Sequence, residues 1–370
     1  MLIGIDASHA NKIQRTGVEE YCFQIIQELK NIIPGDYRVV LYSNLKLLPE
    51  LSGLPLNWEI KILNWPFKKM WSQFRLAYEL WKNSPDIYLS PGQLIPFLSP
   101  KNSVVVVHDS AFEVYPMAYR FLGRQYLKWM NRLIVKKSEI ILTSTEFNKR
   151  ELLKFYNYYF SNPIDLENKI KVVPLAYDYR KFNLEKLAEQ NIYDQYILSI
   201  GRLEEKKNTK RIILAFNLVK KQFPDLKLIL VGKPGAGFEA VQKAIDESVF
   251  KKDIILPGFV MSENLFSILK HAQVFVFPSL YEGFGIPILE ALALGVPVVA
   301  SKGNALEEVG DEAVDYVDSL SVQDISEKII IFLKDTNHRK QKIHLGLEQV
   351  KKYSWNQTAK LTWEVIKNIK

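Results

Sequence analysis

The chain of 370 residues carries a single cysteine, Cys22, so an intrachain disulfide framework and a cysteine-rich zinc site are both excluded. Long apolar runs are also missing. Stretches such as Ala291–Ala300 fall far short of the ~18 residues that a bilayer-spanning helix needs. The opening MLIGIDAS reads as a strand from residue 2, without the charged and then apolar regions of a leader. Low-complexity tracts and short-period repeats are absent. On these grounds we expect a cytoplasmic protein, soluble or peripheral on the inner face of a membrane. What is present is ordinary for a globular chain: 48% apolar and 24% charged residues, which excludes disorder, collagen and coiled coil. At about 150 residues per domain the length suggests two domains. The 49 basic against 41 acidic residues leave a net charge of +8, which favours anionic partners without choosing among them.

Short β-branched runs alternate with helical patterns along the chain. SVVVV at 103–107 and VFVF at 274–277 are apolar on both faces, as in a sheet covered by helices on both sides. Such alternation gives parallel sheets with right-handed crossovers. The pattern runs twice, separated by the weakly periodic Pro174–Asp194. We expect an α/β protein with a doubly wound domain over 1–175, a linker over 176–193, a second doubly wound domain over 194–352 and a closing helix over 353–370. Ligands bind such sheets at the carboxyl ends of the strands, so a cleft faced by both domains is the expected site.

The strongest stretch is FPSLYEGFGIPILEALALGVPVVA at 277–300. A strand ends at Phe277, a loop holding Gly283 and Gly285 follows, and a helix starts near Ile286. Pro287 suits its first turn. The free N–H groups of that turn fit a phosphate, and Glu282 and Glu290 can face one site at different depths. The plainer alternative is a tight strand–helix turn with a solvated glutamate. SIGRLEEKKN at 199–208 joins another strand to a helix, and Arg202 and Lys207 bracket the turn at Gly201. Two cations there can hold a diphosphate; alternatively they form a solvated basic turn balanced by Glu204 and Glu205. In NKIQRTGVEEY at 11–21, Gly17 precedes a helix and has room for a ligand phosphate or sugar, or simply follows a Thr16 cap. In VVVVHDS, His108 and Asp109 close a strand.

Taken together, EGFGIPILE, LGVPVVAS, GRLEEKKN, VGKPG, TGVEEY and VHDSAFEVYP resemble family 4 glycosyltransferases over about Leu2–Asp318. The resemblance implies the GT-B fold, two Rossmann-like domains facing a cleft, with a last helix from about Trp355 crossing back to the first domain. It implies a retaining transferase that moves a hexose from a nucleotide-diphosphate sugar to a glycan or lipid-linked acceptor in surface polysaccharide or glycolipid synthesis. Mannose from GDP-mannose is common among similar sequences, and UDP-sugars remain open. By the same resemblance Arg202 and Lys207, with Gly201, grip the diphosphate, and Glu290 holds the ribose. Glu282, with the backbone of Gly283, Phe284, Gly285 and Ile286, contacts the transferred sugar. The backbone at Gly258, Phe259 and Val260 meets the base, Gly17 lets a loop reach the donor phosphate, and His108 contacts the sugar near the reacting carbon. Lys206 stands where the family often has arginine, and Ala176 where it usually has glycine. There is no Asp-x-Asp, so we expect no metal and no cofactor, with the two cations neutralising the diphosphate instead.

Arg120, Arg124, Lys128, Arg132 and Lys136 recur every four residues over the helix expected at Met117–Lys137, and no acid falls between Val114 and Ser138. Interleaved apolar residues make this a candidate for an anionic membrane or acceptor surface; the other reading is core packing on one side and solvated cations on the other. The aromatic run Trp71, Phe74, Tyr78, Trp81 is expected to be core or pocket wall. A non-catalytic subunit that binds nucleotide sugar or membrane is the alternative function. A specific nucleic-acid role is not expected, since no binding motif accompanies the charge.

Overall fold

Strands whose side chains are buried on both faces cannot lie at a water interface, and here they form the middle of two parallel sheets. The computed structural model describes residues 1–15, 17–67, 69–178 and 193–369; most of the expected linker, and Thr16, lie outside the described residues. The chain divides into two compact units. One comprises Met1–Glu113, Phe121–Leu175 and Ser354–Lys370; the other comprises Val114–Arg120 and Ala176–Tyr353.

The sheet of the first unit has seven parallel strands: β1 (Leu2–Asp6), β2 (Arg38–Ser43), β3 (Trp58–Ile62), β4 (Ile87–Ser90), β5 (Ser103–Val107), β6 (Ile140–Thr143) and β7 (Ile170–Val172). They run in the order β3-β2-β1-β4-β5-β6-β7. The order reverses between β1 and β4, and a crevice at the strand ends is built into that switch. Every residue of β5 is buried, as its unbroken valines require. The helix Trp355–Lys367 returns to this unit. Trp355 lies against Tyr21 (ring centroids 5.9 Å apart), Trp363 meets Tyr37 edge-on at 4.9 Å, and the Thr358 hydroxyl donates to the Pro174 carbonyl at 2.7 Å.

The second unit repeats the plan with six parallel strands: β8 (Tyr196–Ile200), β9 (Lys227–Val231), β10 (Ile254–Gly258), β11 (Val274–Phe277), β12 (Val298–Ser301) and β13 (Asp315–Val317). Their order is β10-β9-β8-β11-β12-β13, so the switch falls between β8 and β11. The core beneath is aliphatic and aromatic, with Ile197, Phe216, Leu228, Val274 and Phe332 all buried. Doubly wound topology in both halves is what the alternating pattern predicts.

Two local departures stand out. The basic helix begins at Phe121, not Met117. Pro116 opens a single 3-10 turn over Pro116–Ala118, and Tyr119 is extended (φ −127°, ψ 142°), which breaks the register before Phe121. The aromatic segment begins as a π-turn, Ser72–Leu76, and continues as the helix Ala77–Lys82. Only Trp71 of its four aromatics is buried; Phe74, Tyr78 and Trp81 are 52%, 47% and 66% exposed. They are therefore not core. No helix among the described residues is long and apolar enough to cross a membrane.

Candidate active site

The loop after β8 and the loop after β11 flank the switch point of the second sheet, and backbone and side-chain bonds tie them together. The Leu280 N–H donates to the Lys206 carbonyl at 2.8 Å. The Asn208 amide donates to the carbonyls of Pro278 (3.0 Å) and Ser319 (2.6 Å). Asn208 is buried and left-handed (φ 60°, ψ 27°), a conformation that asparagine tolerates better than most residues. It ends the loop and starts the helix Thr209–Lys220. Held this way, the Lys207 ammonium is ion-paired with the Glu282 carboxylate and lies 5.0 Å from the centre of the Phe277 ring.

Burial works to raise the Glu282 carboxyl, but Lys207 and Lys206 outweigh it and hold the group below the ordinary glutamate range. The carboxylate is therefore ionised at neutral pH and can only accept hydrogen bonds. Arg202 is exposed and has neither an ion pair nor a side-chain hydrogen bond among the described residues. So one of the two expected cations is already neutralised and the other is open.

Glycines shape the rim. Gly201 N–H donates to the Val231 carbonyl, and Gly232 N–H to the Gly258 carbonyl, both at 2.9 Å, linking the ends of β8, β9 and β10. A Cβ on Gly232 would stand 1.8 Å from the Gly201 carbonyl oxygen, so no other residue fits. Past β10, Phe259 is exposed, Lys233 lies 4.8 Å from its ring centre, and Val260 follows in the same loop. Gly285 precedes the helix Ile286–Ala293 with φ +98°, and a Cβ there would meet Leu306 at 2.4 Å. Gly283 and Phe284 are buried beside it, with Phe284 edge-on to Tyr353 at 5.8 Å. Pro287 falls in the first turn, where no N–H is required. Glu290 is half-buried, about one turn into this helix.

In the first unit, the helix Gly17–Leu29 starts at an exposed glycine around which a Cβ would find nothing within 4 Å. Tyr21, one turn on, meets the His108 ring edge-on at 5.0 Å. His108 Nε2 lies 2.8 Å from the Pro91 carbonyl, and the Asn148 amide donates to the His108 carbonyl at 2.9 Å. Burial lowers the His108 pKa, with the Pro91 bond opposing it. A neutral ring is then favoured, with Nε2–H donating to Pro91 and the Nδ1 lone pair left as acceptor.

Residues 184–346 match the family model described as Glycosyl transferases group 1. The chain is similar to the O-antigen chain mannosyltransferase B of Escherichia coli, 29% identical over 318 residues that cover 84% of this chain and 80% of that protein. The chain is a glycosyltransferase. Among solved structures its fold resembles the sucrose-phosphate synthase of Thermosynechococcus elongatus (TM-score 0.77, 16% identity, 99% of this chain and 98% of that one). It also resembles Anabaena HepE in complex with UDP-glucose (TM-score 0.74, 14% identity, 100% of both chains). The fold is GT-B, as the motifs imply.

The glycosyltransferase thus brings Gly201, Arg202, Lys207, Glu282, Gly283 and Gly285 onto two bonded loops of one unit, and carries Gly17 and His108 on the other. Asn208 and Gly232, within the GRLEEKKN and VGKPG stretches, also shape these loops, which their residue types alone do not announce. The left-handed backbone that marks them is invisible in a sequence. The segment Val114–Arg120 groups with the second unit through Tyr115, whose hydroxyl donates to the Leu280 carbonyl at 3.1 Å. The basic stripe is only partly free. Arg124 donates to the Phe112 carbonyl at 2.8 Å and Lys128 pairs with Glu113 at 2.7 Å, while Arg120 and Arg132 are exposed. Among the described residues no group of three or more His, Cys, Asp or Glu could hold a metal ion.

Proposed function

We propose that this glycosyltransferase moves a hexosyl group from a nucleoside-diphosphate sugar to a glycan or lipid-linked acceptor, with retention at the anomeric carbon and without a metal. The observation that carries the reading is the Lys207–Glu282 pair, held by the bonded loops at the switch point of the second sheet beside the exposed Arg202.

On this reading Arg202 and Lys207 meet the donor diphosphate and stabilise the negative charge that develops as it leaves. They do by side chain what a divalent ion does elsewhere. The turn at Gly285 presents the first N–H groups of the helix Ile286–Ala293, which favour an anion. Glu282, kept ionised, accepts hydrogen bonds from hydroxyls of the transferred sugar and is unsuited to act as a general acid. Glu290 accepts from the ribose, and the backbone at Gly258, Phe259 and Val260 meets the base. Gly17 leaves room for a substrate phosphate or sugar, and the free Nδ1 of His108 accepts from a substrate hydroxyl. Retention follows if the departing phosphate takes the acceptor proton on the face it leaves.

The E. coli relative is named a mannosyltransferase, which supports a mannosyl donor, whereas the HepE structure holds UDP-glucose. A panel of GDP-, UDP- and dTDP-sugars, read first by thermal shift and then by transfer, tests the proposal. Stabilisation by one nucleotide series followed by sugar transfer is the expected result. No stabilisation by any member and no transfer would overturn it.

A further inference from the structure

A surface helix ordinarily turns its polar stripe to water. The segment Ser72–Lys82 does the reverse. Phe74, Tyr78 and Trp81, spaced i, i+4, i+7, form its exposed stripe, while Trp71, Leu76, Ala77 and Leu80 face the core. Phe67 and Met70, 67% and 43% exposed, extend the apolar area on the preceding loop. Trp65 joins the two parts, stacking on Phe74 with ring centroids 5.9 Å apart and meeting Phe67 at 5.3 Å. Between them lies an apolar recess of about 590 Å³.

Charge on this face has one sign. Lys69 and Lys82 are exposed. Glu79 is the only acid from Leu63 to Lys82, and it is buried, paired with Lys61 and with Arg75. Single exposed apolar residues need no explanation, but a contiguous aromatic patch rimmed by cations does. Two copies of the face pressed together would set the lysines of each against those of the other, in a chain already at +8. Anionic lipid suits both features: aromatic rings favour the headgroup level and lysines favour its negative potential.

We propose that this face docks the enzyme on an anionic bilayer. The proposal does not depend on the reaction assigned above. The probe is co-sedimentation with vesicles of phosphatidylcholine, with or without phosphatidylglycerol. Wild type should pellet with the anionic vesicles and stay in solution with the neutral ones. The triple variant Phe67→Ser/Phe74→Ser/Trp81→Ser should lower partitioning by at least about tenfold, because much of the buried apolar area is gone. Lys69→Glu/Lys82→Glu should abolish the preference for anionic vesicles. The lysine variant should melt with wild type, and the triple variant, which gives up only the ring contacts to Trp65, should stay folded with a cooperative melt a few degrees lower at most. Failure of wild type to pellet would overturn the proposal, as would undiminished pelleting of the triple variant. So would a concentration-dependent dimer in sedimentation velocity that the triple variant loses, since that would make a second copy the occupant.

Discussion

Replacing Lys207 with methionine leaves the largely buried Glu282 with Lys206 but without the cation it pairs with. The two side chains are 21% and 12% exposed, so the pair is neither a surface bridge nor a fully buried one. Exposed pairs contribute about 0–1 kcal/mol, and removing one partner of a buried pair costs about 3–5. For Lys207→Met we take about 2–3 kcal/mol, which for a unit of this size lowers the melting temperature by roughly 5–10 °C. Lys207→Met/Glu282→Gln removes both charges and should return most of that loss, to within about 1 kcal/mol of wild type. Transfer should behave differently. Both variants should lose at least ~100-fold in kcat, the scale of one lost transition-state stabiliser, because Glu282→Gln restores no cation to the leaving diphosphate. The pH dependence has a definite sign. Glu282 is depressed below its ordinary value in the folded protein, so it adds stability above about pH 4.3 that is lost as the pH falls through its lower folded value. The deficit of Lys207→Met should therefore be largest at neutral pH and shrink in acid. Melting curves of the three proteins from neutral to acid pH, with kcat at neutral pH, decide the matter. A single variant as stable as wild type refutes the pairing argument. A double variant with wild-type kcat refutes the diphosphate role.

Gly285→Ala should cost about 1–3 kcal/mol, since it meets Leu306 and adopts a positive φ; Gly17→Ala meets nothing and should leave the melting temperature level or slightly raised while lowering transfer. Asn208→Gly accepts the left-handed backbone freely, so a loss of about 1–2 kcal/mol in denaturant melts would report the side chain's own bonds, to the Pro278 and Ser319 carbonyls and from Arg211; an unchanged midpoint would show that the loops hold without them. His108, depressed by burial, adds stability above about pH 6.5 that is lost as the pH falls through its folded value, and His108→Gln should flatten that part of the melting profile. EDTA should leave transfer intact, and activity abolished by EDTA and restored by Mg²⁺ would contradict the metal-free proposal.

Strand content was legible because burial on both faces leaves a compositional mark. SVVVV and VFVF can hardly be anything else at that length, and both sheets follow from such runs. β13 carries no such mark: Asp315–Val317 is three residues long and begins with a buried aspartate paired to Lys342, so nothing in it reads as a core strand. The aromatic segment shows a different limit. Helical spacing groups Trp71, Phe74, Tyr78 and Trp81; only the last three share a face, Trp71 turns inward, and periodicity does not say whether a face is covered. Here Trp71, Leu76 and Leu80 supply enough apolar surface for the core on the other side. At the site, the expectation that Glu282 and the GRLEEKKN turn share one place rests on the resemblance to family 4 glycosyltransferases. The bonds that create the arrangement, from Leu280 to Lys206 and from Asn208 to Pro278, depend on backbone conformations that residue types do not encode.

The two cations are not equivalent, and the difference bears on how a diphosphate is handled. Arg202 is exposed and unpaired among the described residues, so on the proposed reading it can meet phosphate without giving up a partner. Its planar fork also suits bidentate phosphate contact. Lys207 is already paired with Glu282, so on the same reading a phosphate oxygen would share that ammonium with a carboxylate. A site built for tight ground-state binding would leave both cations free. Keeping Lys207 partly neutralised weakens its hold on the intact donor, whose diphosphate carries less charge than the departing one. In the proposed reaction the phosphate gains negative charge as the glycosidic bond stretches, and then competes better with Glu282 for Lys207. The attraction therefore grows toward the transition state, and interactions that grow in that direction are the ones that raise turnover.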